Sequence, residues 1–242
     1  MLRARLRCDL APPYARCLYR IQTSKRICAK EVTGPADHAH CCCYLKVNYR
    51  HNVLRDKWCT LYRRAGYHAE TEQSVPELGP GPVVESDVRA QGGPSEPVRY
   101  ADVVVTHPIQ LRHGRWTASG PGVAAAREER GKLADYAARP GGRPVLIVPL
   151  AFESYGRWGK AAALELRRLA RRRAEQLDAT SSVDPSAVYR GCLKRWRQEI
   201  SVALQLCNFL IYSTCVAGLR SGEPSHSPAD DAGALASLIV DS

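Results

Sequence analysis

Apolar and polar positions change their period several times along the chain, and each change predicts a secondary-structure element. Valine-rich and alternating runs predict four strands, and apolar positions at helical spacing predict four helices. The predicted strands are Tyr67–Val75, Val83–Arg89, Val98–Thr106 and Arg143–Phe152. The predicted helices are His51–Ala65, Val123–Ala138, Trp158–Gln176 and Pro185–Val216. This order predicts an α/β fold.

The last predicted helix contains a long uncharged stretch. Residues 200–219 carry no charged side chain, which is about the length that a membrane-spanning helix needs. The stretch also contains several polar residues, and Val202, Leu206, Phe209 and Leu210 recur at helical spacing. We therefore predict a helix that packs this face on a core, and we expect no membrane partner.

Three regions differ in composition. Residues 1–50 are rich in Cys and His and show no sustained period, whereas residues 51–216 carry the predicted helices and strands. Residues 217–242 are mostly small and polar, which predicts a disordered tail. The proline- and glycine-rich segment 76–82 is predicted to be a loop.

The charge balance is strongly basic. Lys and Arg number 35 against 24 Asp and Glu, a net charge of +11 over 242 residues. This excess favours a polyanionic partner, and both nucleic acid and an anionic membrane would satisfy it.

Cysteine usage indicates a reducing compartment. The ten cysteines are unevenly spread, three of them are consecutive, and no secretory signal precedes them. The acid-free stretch Met1–Arg7 would also suit a mitochondrial presequence. We expect an intracellular, nuclear protein, with mitochondrial targeting as the less favoured alternative.

Carboxylates on two predicted strands precede a charged helix. Asp87 lies on the second strand and Asp102 on the third, in Tyr100-Ala101-Asp102-Val103-Val104-Val105. Glu129-x-x-Lys132-x-x-x-Tyr136 follows on a helix, and Glu153-Ser154-Tyr155-Gly156 follows the next strand. Two carboxylates at adjacent strands offer the hard oxygen ligands that Mg²⁺ prefers.

In this order and spacing the chain resembles the restriction-like endonuclease of the PD-(D/E)XK superfamily that is found in non-LTR retrotransposon reverse transcriptase polyproteins. Upstream, the chain resembles the zinc knuckle and first helix that precede this nuclease, in Asp37-His38-Ala39 with the following cysteines, in Arg50-His51-Asn52-x-Leu54-Arg55-Asp56 and in Ala65-Gly66. Downstream, Ile200–Gln205 with Asn208 resembles its closing helix. The resemblance covers roughly residues 28–212. It implies a mixed sheet flanked by helices and Mg²⁺-dependent hydrolysis of DNA.

The resemblance also implies roles for single residues. Asp87 and Asp102 would bind Mg²⁺, and Glu72, or Glu70 beside it, could add a carboxylate from the preceding strand. The lysine expected two positions after the second acid is replaced by Val104, whereas Lys132 matches the lysine that retroelement nucleases carry on the next helix. Glu129 shares a helix face with Lys132, so we expect the two to pair.

The zinc knuckle departs from the family pattern. Cys28, His38 and Cys42 or Cys43 match three ligands, but Arg26 occupies the position of the remaining cysteine. Cys17 or His51 could supply the fourth ligand. The alternative is a degraded knuckle with free thiols.

Basic side chains on the last two helices predict a surface for DNA or RNA, since such cations neutralise phosphates without reading bases. Two functions remain open, a metal-dependent endonuclease and a catalytically inactive nucleic-acid-binding remnant of the same fold. No Tyr-x-Asp-Asp motif is present, so we expect no reverse transcription from this chain. The candidate nucleic-acid-binding residues are Lys160, Arg167, Arg168, Arg171, Arg172, Arg173, Arg190, Lys194, Arg195 and Arg197.

Overall fold

A computed structural model describes the backbone of residues 16–18, 24, 26–32, 37–42, 48–76, 85–108, 111–112, 115–116, 120–138, 145–178 and 184–217. The chain forms two compact units. The first unit combines Met1–Val53 with Gln205–Ser242, and the second is the continuous segment Leu54–Leu204.

Helices and strands follow the order that the sequence predicts. The helices are α1 (Asp37–Cys41), α2 (Asn48–Arg64), α3 (Val123–Ala137), α4 (Lys160–Asp178) and α5 (Pro185–Ala217). The strands are β1 (His68–Ser74), β2 (Glu85–Gln91), β3 (Arg99–Thr106), β4 (Leu111–Arg112), β5 (Arg115–Trp116) and β6 (Leu146–Glu153). The predicted order of helix, three strands, helix, strand and two helices is confirmed. The one-turn helix α1 and the short β4–β5 hairpin were not predicted from the sequence.

A mixed sheet forms the centre of the second unit. Its strand order is β1-β2-β3-β6, with antiparallel β1–β2 and β2–β3 pairs and a parallel β3–β6 pair. Tyr100, Ala101, Asp102 and Val103 are consecutive buried residues on β3, because this central strand is covered on both faces. Asp102 therefore enters a largely dry part of the sheet. The fold is α/β, with a four-stranded mixed sheet flanked by helices.

Aromatic residues pack α2 against β6. Trp58 on α2 lies 6.4 Å from the ring of Phe152 and 6.1 Å from that of Trp158. Trp58 and Phe152 are fully buried. Burial of such rings removes a large apolar area from water, so this cluster stabilises the second unit strongly.

A buried carboxylate organises the polar part of the same unit. Glu165 on α4 accepts hydrogen bonds from Tyr62 (2.8 Å), Arg99 (3.4 Å) and Arg168 (2.6 Å). Burial, with Glu165 beside it, holds the pKa of Tyr62 well above its usual range. The two arginines compensate the buried charge, as such a site requires.

The first unit has a small core of its own. Cys17, Val32, Ala39 and Cys42 pack with Ile211 and Cys215 from the end of α5. Beside this core, Arg50 donates a 2.9 Å hydrogen bond to the side-chain oxygen of Asn208, and both residues are buried. The polar Asn208 is therefore an internal partner.

The prediction that Val202, Leu206, Phe209 and Leu210 of α5 pack on a core is wrong. Val202, Leu206 and Phe209 are 54%, 39% and 51% exposed, and Leu210 is half-buried. The helix instead buries Ile200, Ala203, Leu204, Cys207 and Ile211. The stretch is apolar on both sides, so its periodicity alone could not select the face. Among the described residues, no helix combines the length and hydropathy that a membrane crossing requires.

The division of the chain differs in detail from the compositional regions. The expected limit at residue 50 lies three residues before the end of the first segment of unit 1, and the last turns of α5 belong to that unit. Apart from Ala217, the expected tail 217–242 lies outside the described residues. Glu77–Pro82 of the expected loop lies outside them as well.

Candidate functional site

Four candidate metal ligands meet in the first unit. Cys17, Cys28, His38 and Cys42 each offer one ligand atom, and these atoms all lie within 4.8 Å of one another. The sulfur of Cys42 lies 4.0 Å from that of Cys17 and 3.9 Å from that of Cys28, and Nε2 of His38 lies 3.5 Å from the Cys28 sulfur. A tetrahedron with zinc–sulfur bonds of about 2.3 Å has sulfur–sulfur edges of about 3.8 Å. The cluster therefore can bind a metal such as zinc.

A paired backbone brings Cys17 to this cluster. The amide of Cys17 donates to the carbonyl of Lys30 (2.8 Å), and the amide of Ala29 donates to the carbonyl of Cys17 (2.9 Å). Ala29 has a φ of 55°, which turns the chain directly after Cys28. Of the two expected fourth ligands, the cluster contains Cys17, and His51 is not a member. Cys43 lies outside the described residues.

The surroundings of the cluster favour the metal-binding form of His38 and add a further thiol. Burial and the charge of Lys30 lower the pKa of His38, which keeps the imidazole neutral and able to coordinate. Cys215 of α5 forms a hydrogen bond with Cys17, and burial raises the pKa of its thiol to about 11. The C-terminal helix thus packs directly on the ligand residues.

In the second unit, Asp102 is the centre of a polar cluster on β3. The ammonium of Lys132 lies 2.9 Å from Oδ2 of Asp102, and the hydroxyl of Tyr136 donates to the same oxygen at 3.2 Å. Lys132 and Tyr136 lie one turn apart on α3, so this helix face covers the end of the carboxylate. Asp102 is 7% exposed, whereas the side chain of Lys132 is 34% exposed.

Asp87 of β2 completes this cluster. Its Oδ2 accepts a 2.6 Å hydrogen bond from the amide of Val103, and its carboxyl also hydrogen-bonds the carboxyl of Asp102. Burial raises the pKa of Asp102; the ammonium of Lys132 opposes this rise, and Asp87 adds to it. Two neighbouring carboxylates repel each other when both are charged, and a cation held between them would relieve that repulsion. The structure thus brings Asp87, Asp102 and Lys132 together.

Arg55, which belongs to the motif of the first helix but was given no role from the sequence, lies near Asp87. Arg55 on α2 forms ion pairs with Asp56 (2.8 Å) and with Glu72. Burial alone would lower the pKa of Arg55, but the charges of Asp56, Glu72 and Asp87 raise it above its usual value. Glu72 has a φ of 54° inside β1, an uncommon backbone conformation for a strand residue. Glu72, which the sequence suggested as an additional metal ligand, therefore forms an ion pair with Arg55 in this structure.

Glu129 has a different position from the one expected. Its Oε1 accepts a 2.8 Å hydrogen bond from the amide of Ala161, in the first turn of α4. Glu129 is buried, whereas Lys132 is directed to Asp102. A carboxylate at a helix N-terminus satisfies free amides and stabilises the helix dipole. The expected Glu129–Lys132 pair is therefore wrong, because a tertiary contact holds Glu129 elsewhere.

This contact predicts the effect of a substitution at Gly159. A Cβ on Gly159 would lie 2.1 Å from Oε1 of Glu129 and 3.1 Å from the carbonyl oxygen of Ala151. We expect Gly159→Ala to lower the free energy of unfolding by about 1–3 kcal/mol. Gly131→Ala is the matched control, because a Cβ there meets nothing within 4 Å and alanine favours a helix. Chemical denaturation measures both variants, and equal stabilities would contradict this role of Glu129.

The expected nucleic-acid-binding residues fall into three groups, which are internal partners, one half-buried residue and exposed residues. Arg168 and Arg172 are internal partners: Arg168 bonds Glu165, and Arg172 pairs with Glu96 at 2.7 Å and lies over the ring of Tyr67. Arg173 is half-buried. The exposed members are Lys160, Arg167, Arg171, Arg190, Lys194, Arg195 and Arg197.

Comparison of the chain with protein-family models gives no match, and comparison with curated proteins gives none either. Evidence for a function therefore comes from the residues and their geometry.

Proposed function

We propose that this chain is a metal-dependent DNA endonuclease with a PD-(D/E)XK-like site, related to the nuclease of non-LTR retrotransposons. The supporting observation is the cluster of Asp87, Asp102 and Lys132 on adjacent strands and the following helix. Two carboxylates beside one lysine form the kind of site that phosphodiester hydrolysis uses, with hard oxygens for Mg²⁺ and a cation for the phosphate.

Each residue has a separate task in this proposal. Asp87 and Asp102 supply carboxylate oxygens from β2 and β3. A bound Mg²⁺ would stabilise the negative charge that develops on the scissile phosphate. Lys132, which is partly exposed, moves its ammonium from Asp102 to a phosphate oxygen when DNA arrives. Tyr136 keeps Asp102 oriented through its hydroxyl, and Glu129 takes no part because it caps α4.

The Cys/His cluster has a structural task in the same proposal. We propose that it holds zinc as a knuckle, with Cys17 in place of the missing family cysteine. All four ligands lie in the first unit, together with the end of α5. Zinc with four protein ligands has no open position for substrate, so the site supports the fold and takes no part in hydrolysis.

One observation favours the second candidate, an inactive nucleic-acid-binding remnant. Oδ2 of Asp102 already contacts both Lys132 and Tyr136, and Oδ2 of Asp87 accepts the amide of Val103. A metal must compete with these contacts. A chain that no longer hydrolyses DNA could keep the same residues as a stabilising network.

A plasmid-nicking assay separates the two candidates. We expect the purified chain to convert supercoiled plasmid to the nicked form with Mg²⁺ and to do so much more slowly with Ca²⁺, which tolerates looser coordination. DNA binding without Mg²⁺- or Mn²⁺-dependent nicking would exclude the endonuclease and leave the remnant. Absence of binding at moderate salt would exclude both.

A further inference from the structure

A basic cleft lies in the second unit, among residues to which the proposed hydrolysis assigns no role. It has a volume of about 820 Å³ and lies between the last turn of α2, the later turns of α4 and the early turns of α5. Its lining includes Arg63, Arg64, Arg173 and Arg195. Arg63 and Arg64 were not among the basic residues that the sequence suggested.

The cleft carries a positive excess. Glu199 pairs with Arg64 at 2.7 Å and with Arg195 at 2.9 Å, so one carboxylate serves two guanidinium groups. Arg63 donates through Nε to the carbonyl of Ala69 at 2.9 Å, a neutral partner. Arg173 has no carboxylate partner within the described part of the chain. Four guanidinium groups at one cleft thus share a single described acid.

These arginines are also partly fixed before any ligand arrives. The bonds of Arg63 to Ala69 and of Arg64 to Glu199 restrict two long side chains whose ordering would otherwise oppose binding. A guanidinium that uses one edge in this way keeps further N–H groups for a ligand. Planar N–H pairs match the two oxygens of a phosphate, which lysine cannot do.

The remaining lining residues indicate which part of a nucleic-acid ligand the cleft could recognise. Trp196 is 4% exposed, so its ring is part of the cleft floor and offers no face on which a base could stack. Gly191 also lines the cleft, and a Cβ there meets nothing within 4 Å. The cleft therefore offers cations and space for a ligand. Among the described residues that line it, none presents a group that would recognise a base.

We infer that this cleft binds the phosphodiester backbone of nucleic acid, independently of base sequence and separately from the site at Asp102. The fork geometry of arginine favours phosphate, and the volume exceeds that of one phosphate group. The chain's charge of +11 supports a polyanionic ligand. Binding at this cleft requires no hydrolysis at Asp102, so either proposal can fail without the other.

Gly191 allows a test that leaves every native side chain in place. Gly191→Lys, Gly191→Gln and Gly191→Glu place side chains of similar length and similar helix propensity at the cleft with three different charges. Val202→Glu is the control for net charge, because Val202 is exposed on the same helix, about 16 Å further along its axis. All measurements use the full chain, a fluorescent DNA duplex, an RNA of the same sequence, and no Mg²⁺.

We expect the dissociation constant to increase in the order Lys, Gln, Glu, with about a tenfold difference between the Lys and Glu variants at moderate salt. The slope of log affinity against log salt should be shallower by about one for Glu, which corresponds to one phosphate that is no longer neutralised. Val202→Glu should stay close to the wild type. Equal affinities for the three Gly191 variants would overturn the inference, whatever the outcome of the nicking assay.

A second measurement locates the ligand without any substitution. Cys192 lines the cleft and is half-buried, so bound nucleic acid should slow its alkylation, as quantified by mass spectrometry. Unchanged alkylation at saturating DNA would overturn the inference. Inorganic phosphate serves as a further probe in the same measurement. Protection of Cys192 by phosphate but not by DNA or RNA would show a small-anion site and would also overturn the inference.

Discussion

Asp102→Ala should abolish Mg²⁺-dependent nicking while leaving DNA binding intact or slightly tighter. The substitution removes a buried carboxylate that we place on the metal, and metal ligation contributes several kcal/mol to transition-state stabilisation. Each 1.4 kcal/mol is about tenfold in rate, so we expect nicking to slow by about two orders of magnitude or more. Removing a negative charge beside phosphate also favours binding. Single-turnover nicking and fluorescence anisotropy measure the two effects.

Two variants control for indirect effects on the fold. Asp102→Asn keeps the shape and an oxygen that can accept from Lys132 and Tyr136, so it should fold normally and still fail to nick DNA. Asp135→Asn removes an exposed carboxylate one turn from Lys132 and should keep full nicking. Nicking that persists in Asp102→Asn would show that this carboxylate is not a metal ligand.

Reversal of exposed cations should give the opposite pattern. Arg167→Glu with Arg171→Glu should weaken binding and flatten its salt dependence by roughly one unit for each phosphate that is no longer neutralised. Arg168 and Arg172 are left unchanged, because their ion pairs with Glu165 and Glu96 belong to the fold. Unaltered binding would show that the exposed face of α4 does not touch DNA.

Removal of metal from the Cys/His cluster should unfold the small core of the first unit. Structural zinc sites in small domains contribute on the order of 10 kcal/mol to folding. Purified protein should contain one equivalent of zinc, and Cys28→Ala should release it. Cys207 reports the state of this unit, because burial raises the pKa of its thiol to about 12 and protects it from alkylation. We expect a chelator to make Cys207 reactive.

Cys192→Ser is the control for the zinc measurement, because Cys192 lies outside the cluster and should not change the zinc content. Zinc well below one equivalent in the wild type, unchanged by Cys28→Ala, would favour a degraded knuckle.

The backbone elements were predicted well from the sequence because their signals are local. Valine-rich runs on β3 and β6 and the helical spacing of α3 and α4 can be identified without knowing the fold. The contact between Asp102 and Lys132 could also be predicted from the sequence, since Asp102 lies on a buried strand and Lys132 on the helix that follows. Arg55 belongs to the motif of the first helix, but its relation to Asp87 could not be predicted, because it exists only after α2 packs on the sheet.

The errors and omissions are tertiary in origin. Sequence spacing placed Glu129 beside Lys132, but the free amide of Ala161 is a better partner for a buried carboxylate. The outward face of α5 could not be chosen because Val202 and Ile200 are equally apolar. For the fourth ligand two candidates remained open, because only backbone pairing with Lys30 brings Cys17 to the cluster.

The discontinuous first unit has a consequence for the order of folding. Residues 54–204 can fold while synthesis continues, but the unit that holds the Cys/His cluster lacks Ile211 and Cys215 until the end of α5 has left the ribosome. Closing a flexible loop of roughly 150 residues costs on the order of 4 kcal/mol in chain entropy. A previously folded second unit already holds Leu54 and Leu204 at fixed positions, which removes most of that cost. All four candidate ligands precede the second unit in the chain, so a metal that binds them could order this segment before α5 is complete.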